Sequence, residues 1–152
     1  MTGILHNKNF IEKPMYNLFN KNTPTDFITV APFLLEIEEE LYKEVNDTTV
    51  YNKKCIKYWK IYQIYYKRNR YLFNLLKNKS MSKELYNFLA ENNFLDKALL
   101  GFWKRNGYEK LCCLRCLQKE AQQDTLCICR VPRIKIKKEF QCEHCGCKGC
   151  CG

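Results

Sequence analysis

The strongest constraint on this chain is the spacing of its cysteines. Cys112-Cys113-Leu114-Arg115-Cys116 is followed after ten residues by Cys127-Ile128-Cys129, and twelve residues later by Cys142-Glu143-His144-Cys145-Gly146-Cys147-Lys148-Gly149-Cys150-Cys151. Of 11 cysteines, only Cys55 lies outside this region. The odd count and the adjacent pairs suit a disulfide framework poorly. They suit Zn²⁺, which takes four thiolates at about 2.3 Å in a tetrahedron. Two ligands from one tight turn also lower the closure cost, and Gly146 and Gly149 give the last such turns their backbone freedom.

The candidate ligands are Cys112, Cys113, Cys116, Cys127, Cys129, Cys142, Cys145, Cys147 and Cys150. Three zinc ions need twelve ligand places, which nine cysteines fill if three sulfurs each bridge two metals. Without bridging, eight cysteines serve two ions and one is spare. Crowded Cys-x-Cys and Cys-Cys pairs favour bridging, so three ions are expected and two stay open. An all-thiolate shell leaves no position for water or substrate, which makes the site structural and argues against an enzyme. Coordination would likewise consume a thiol nucleophile or redox pair. Iron–sulfur binding is the competing metal chemistry. His144 and Cys151 are expected outside the ligand set.

At 152 residues the chain can form one domain, or a helical body with a metal-held appendix. The first 13 residues lack the pattern of a secretory signal, and no apolar run approaches a membrane span. An intracellular setting with reduced thiols is the expectation. The net charge of +10 is uneven: residues 1–52 carry 4 basic and 8 acidic side chains, against 22 and 8 in the remainder. Such a basic surface points to a polyanion, either nucleic acid or an acidic protein. The competing explanation is a coding bias towards Lys, Asn, Ile and Tyr.

Residues 1–30 read as an irregular arm whose Phe10, Tyr16, Phe19 and Phe27 either dock on a partner or pack back. Pro32 is expected to open a helix with Leu34, Ile37, Leu41 and Val45 on one side. A second helix over residues 53–77 puts Tyr58, Trp59, Tyr62, Tyr65, Tyr66, Leu72, Phe73 and Leu76 on one broad face. Lys53, Lys57, Lys60, Lys67 and Arg68 gather on the other. No acidic residue separates Lys53 from Lys83, so these cations lack i,i+4 partners and point to an external counter-charge. Ser82 and Asp96 can cap two shorter helices, the second stopped at Asn106-Gly107.

Further on, Ile134 and Ile136 alternate with Arg133, Lys135 and Lys137, which predicts a strand with one basic face. With Lys138, this strip either balances an anionic cluster or meets phosphates. The expected fold is mainly α: an arm (1–30), a small helical body (31–108), and an irregular cysteine-rich zinc-cluster tail (109–152) with little strand.

The run Gly107-Tyr108-Glu109-Lys110-Leu111-Cys112-Cys113-Leu114-Arg115-Cys116, then Cys127-Ile128-Cys129-Arg130-Val131-Pro132, then residues 142–150, resembles the bud-site-selection splicing factor family, the "G ten" homologues. Arg70-Tyr71-Leu72-Phe73, Ser82-Lys83-Glu84-Leu85-Tyr86 and Asp96-Lys97 extend the likeness upstream. It implies a nuclear, non-enzymatic subunit of the spliceosome, set beside a large scaffold protein and close to small nuclear RNA. The family's nine cysteines map onto the nine counted above, which supports three zinc ions.

The function expected is therefore structural, in pre-mRNA splicing. The partners would be scaffold and other splicing proteins with small nuclear or intron RNA, and neither a membrane nor a small-molecule substrate. The RNA-facing candidates are Lys53, Lys57, Lys60, Lys67, Arg68, Arg133, Lys135, Lys137 and Lys138. The alternative is a free-standing nucleic-acid-binding zinc protein acting in transcription.

Overall fold

The computed structural model describes residues 22–118 and 125–151; the expected arm, up to residue 21, lies outside the described residues. Four α-helices and three short 3-10 segments form among the described residues, with no strand, so the chain is mainly α with an irregular cysteine-rich tail. No helix there is long and apolar enough to cross a membrane.

Helix α1 spans Phe27–Val45. It starts ahead of Pro32, which therefore sits inside the helix instead of opening it, and the divide expected after residue 30 falls within it. Proline in a helix interior removes a backbone hydrogen bond and costs about 3 kcal/mol. Packing overrides that cost. Phe27 is fully buried and meets Phe88 edge-on with centroids 5.2 Å apart, and Val30 and Ala31 are buried beside it. Asp26 ties this first turn to the rest of the body by accepting the Ser82 backbone N–H at 3.3 Å.

Helix α2, Lys54–Lys77, packs along α1. Ile61 and Ile64 meet Ile37 and Leu41 in a small apolar cluster. Tyr62 and Leu72 join the larger core that runs through the rest of the chain. The expected aromatic face is covered: Tyr62 and Leu72 are buried, and Tyr58, Trp59, Tyr65, Tyr66, Phe73 and Leu76 are half-buried.

The opposite face departs from expectation twice. Lys67 lies 2.6 Å from Glu40 and 3.4 Å from Glu36, and Lys60 lies 3.3 Å from Glu44. Helix α2 has no acid of its own, but α1 supplies the counter-charge from alongside, so these two lysines need no external anion. Arg68 is the second correction. It falls four residues after Ile64 and four before Leu72, both buried, and shares their inward side at 1% exposure. Its guanidinium lies over Tyr65 at 4.7 Å and donates to the Asn93 carbonyl at 3.2 Å. Arg68 is a core residue, not part of a basic surface.

Helices α3, Lys83–Glu91, and α4, Lys97–Trp103, begin at the caps read from sequence. Ser82 Oγ accepts the Leu85 N–H and Asp96 Oδ1 the Leu99 N–H, both at 3.0 Å, each cap stabilising by about 1 kcal/mol. Helix α4 ends at Trp103, before Asn106; Gly107, at φ +83°, turns the chain towards the tail instead. Trp103 is buried and donates to the Leu111 carbonyl at 2.9 Å. Arg70 stacks on the Trp103 ring at 3.7 Å and donates to the Glu109 carbonyl at 2.8 Å. The entry to the cysteine region is thus pinned to the helices. Leu111, Cys113 and Cys116 share one core with Leu89 and Trp103.

Candidate metal centre

Three tight turns carry the sulfurs to one place. The 3-10 turn Leu114–Leu117 follows extended Cys113 and sets the sulfurs of Cys113 and Cys116 3.6 Å apart. The turn Ile128–Arg130 holds those of Cys127 and Cys129 at 3.5 Å. In the last turn Gly146 N–H donates to the Cys142 carbonyl and Cys142 N–H to the Cys147 carbonyl, both at 2.8 Å. Cys150 N–H then donates to the Cys129 carbonyl at 3.0 Å, joining the last two segments.

The nine cysteines fall into three four-sulfur sets: Cys112, Cys113, Cys116, Cys145; Cys112, Cys129, Cys147, Cys150; and Cys116, Cys127, Cys129, Cys142. Within each set the sulfurs lie within 4.8 Å of one another. Cys112 stands 3.8 Å from Cys129, Cys116 is 3.6 Å from Cys142 and 3.8 Å from Cys145, and Cys127 is 3.5 Å from Cys142. Four sulfurs at about 2.3 Å from a common ion sit about 3.8 Å apart along tetrahedral edges. Each set matches that geometry and could hold a metal ion. Each pair of sets shares one sulfur, from Cys112, Cys116 or Cys129.

Crowding splits the thiols in opposite directions. Cys112 is pushed up, first by its hydrogen bond with Cys113, whereas Cys142 is pulled down, first by one with Cys116. Were all nine ionised at these distances, they would require cations among them. His144 and Cys151 belong to none of the three sets; His144 Nδ1 is 3.8 Å from the Cys142 sulfur.

Two contacts that hold the centre escape sequence reasoning. Arg130, 7% exposed, donates to the carbonyls of Cys150 at 2.8 Å and Gly107 at 2.7 Å, and to the Cys150 sulfur at 3.5 Å. It also lies over the Tyr108 ring at 4.5 Å. Only its place directly after Cys129 hinted at such a role. The other contact is Trp59, which donates to the Glu143 carbonyl at 2.9 Å and packs closely on Gly146. A Cβ on Gly146 would stand 2.7 Å from Trp59 Cγ, and the backbone there is left-handed at φ +72°.

Gly146→Ala is therefore expected to lose about 2–4 kcal/mol in urea unfolding followed by circular dichroism, through strain and overpacking together. Adding Trp59→Ala should recover the overpacking part. Unchanged stability in the single variant would show that the loop does not depend on this contact.

The basic candidates separate in space. Arg133, Lys135, Lys137 and Lys138 are exposed. They do not form the expected strand: Arg133–Lys135 is a 3-10 turn, with Lys135 N–H donating to the Pro132 carbonyl at 2.9 Å. A lone extended segment has no ladder partner among the described residues, and a turn satisfies its amides locally. Lys53 is exposed and lies 3.5 Å from Glu143, and Lys57 is half-buried.

The family profile described as pre-mRNA-splicing factor BUD31 matches residues 12–152, the helical body and all nine ligand candidates included. The chain belongs to this family. It is 39% identical over 145 residues to the pre-mRNA-splicing factor BUD31 of Saccharomyces cerevisiae, covering 86% of this chain and 92% of that protein. With the pre-mRNA-splicing factor cwf14 of Schizosaccharomyces pombe it shares 40% over 134 residues, 86% of this chain and 91% of that protein. A BUD31 homolog of Danio rerio is 36% identical over 143 residues, covering 91% and 99%. Membership in the BUD31 family confirms the resemblance carried by the cysteine runs.

Proposed function

We propose that the protein is a structural, non-enzymatic subunit of the spliceosome that acts in the nucleus, bridging a scaffold protein and small nuclear or intron RNA. Splicing-factor relatives across nearly the whole chain support the splicing role. The finer reading rests on one observation: three four-sulfur sets that share three sulfurs. In it three zinc ions occupy the sets, with Cys112, Cys116 and Cys129 as bridges, and the resulting rigidity fixes the tail on the body. Zinc would supply no chemistry beyond holding the thiolates in place.

Three divalent ions against nine thiolates leave three negative charges, which basic neighbours balance. The RNA-facing surface narrows to Arg133, Lys135, Lys137 and Lys138, with Lys57 from α2; Lys53 is paired with Glu143 at 3.5 Å. Lys60 and Lys67 are occupied by α1, and Arg68 is buried. The helical body, which begins with α1 at Phe27, seats the cysteine-rich tail, and other splicing proteins would cover what remains.

Affinity purification of the tagged protein from nuclei, with RNA sequencing and zinc quantification, tests this reading. Small nuclear RNAs, scaffold proteins and three zincs per chain are expected; their absence refutes it, and sequence-selective binding by the isolated chain would favour a transcription role. Within that assay, reversing Arg133, Lys135 and Lys137 to Glu should leave folding and zinc unchanged and cut RNA recovery severalfold, more steeply as salt rises. Full RNA recovery by that variant would remove the strip from the interface.

A further inference from the structure

The three cysteine sets are not equally accessible. A groove of about 320 Å³ runs between α2 and the cysteine loops, with Gln63, Tyr66 and Lys110 on its walls. Cys112, Cys147 and Cys150 of the second set line it, as do Cys112 and Cys145 of the first. None of Cys116, Cys127, Cys129 and Cys142, which make up the third set, reaches it, and all four are at most 2% exposed. Cys112 and Cys147, by contrast, are half-buried. Three sets that share sulfurs and match one geometry thus differ in their distance from solvent.

Exchange of an ion bound by four thiolates begins when an incoming ligand reaches the metal before a thiolate departs. An ion whose four sulfurs are buried can be reached only after the surrounding turns open, and such opening carries its own free energy. We propose that the groove is the port through which metal enters and leaves. The set Cys112, Cys129, Cys147, Cys150 exchanges first, the set Cys112, Cys113, Cys116, Cys145 next, and the set Cys116, Cys127, Cys129, Cys142 last. The inference rests on the three-ion reading and adds an order to it. Gln63 is exposed on α2 and is not a ligand candidate, so it controls the width of the port without touching a metal.

The test uses the full-length, zinc-loaded chain. Zinc is counted first, then released to an excess of a chromophoric chelator in stopped flow. Two ions per chain are expected to leave at least about tenfold faster than the third. Partial alkylation with iodoacetamide during release, read by mass spectrometry, should modify Cys147 and Cys150 well before Cys127 and Cys142. Gln63→Trp should slow the two fast phases severalfold and leave the slow one alone.

A starting count below three overturns the three-ion reading and this order with it. A count of three with one release phase overturns the order alone, as does alkylation of Cys127 and Cys142 as early as Cys147. Should Gln63→Trp fail to fold, the alkylation order in the unaltered chain still decides.

Discussion

Cys129→Ser is expected to reduce bound zinc from three ions per chain to one or none and to unfold the tail. Cys129 is fully buried and belongs to two of the three sulfur sets, so on the three-zinc reading one atom would support two metal sites. Its carbonyl also accepts the N–H groups of Cys150 and Cys151 at 3.0 and 3.2 Å. Structural zinc contributes on the order of 10–16 kcal/mol per ion in small zinc-finger peptides, comparable to the entire stability of a domain at about 5–15 kcal/mol. Losing two sites therefore cannot be absorbed locally. Cys147→Ser is the control, because Cys147 belongs to one set and is half-buried; it should retain two ions and most of the fold. Metal analysis of both variants, with limited trypsin digestion across the tail, reads the difference. Equal zinc content in the two variants would show that Cys129 is not a bridge.

That contrast depends on a sharing pattern that was half visible in the sequence. Counting ligand places showed that three sulfurs must bridge if three ions bind. Which three depends on how residues 112–116, 127–129 and 142–150 come together, and linear spacing carries no such information. The helix caps at Ser82 and Asp96 were legible because a cap acts on the amide three residues away, within one turn of chain. The first turn of α1 was not. Pro32 is a local signal against a helix there, and distant contacts, with Phe88 and Ser82 among them, explain why the chain is helical from Phe27.

The partners of Lys60 and Lys67 on α2 are hidden from the sequence for the same reason. These lysines have no acid in their own helix, and Glu36, Glu40 and Glu44 lie 16 to 31 residues away in sequence. Arg68 was placed by its charge, although its spacing from Ile64 and Leu72 already put it on the buried side. In the tail, alternation of Ile134 and Ile136 with cations suggested a strand. A strand needs a neighbour to pair with, and this segment closes into a turn on Pro132 instead.

Arg130→Met is expected to destabilise the zinc-loaded protein by about 3–5 kcal/mol, a large effect for a residue that is not itself a ligand candidate. Methionine roughly conserves the volume but removes the charge and every donor. The carbonyls of Gly107 and Cys150 would then lose their guanidinium partner, at about 1–3 kcal/mol for each group left unsatisfied. The Cys150 sulfur loses the guanidinium 3.5 Å away as well, in a centre where, on the three-zinc reading, thiolates outnumber metal charges. Gly107 ends the helical body and Cys150 lies in the last metal loop, so the same side chain joins the two. Arg130→Lys keeps the charge but cannot span both carbonyls with one ammonium, and an intermediate loss of about 1–3 kcal/mol is expected. Urea unfolding of the three proteins at matched zinc occupancy, followed by circular dichroism, ranks them. Wild type and the lysine variant differing little while methionine collapses would assign the effect to charge alone. Near-equal losses for both variants would assign it to the two carbonyl bonds, and a methionine variant as stable as wild type would remove Arg130 from the account of how the tail is held.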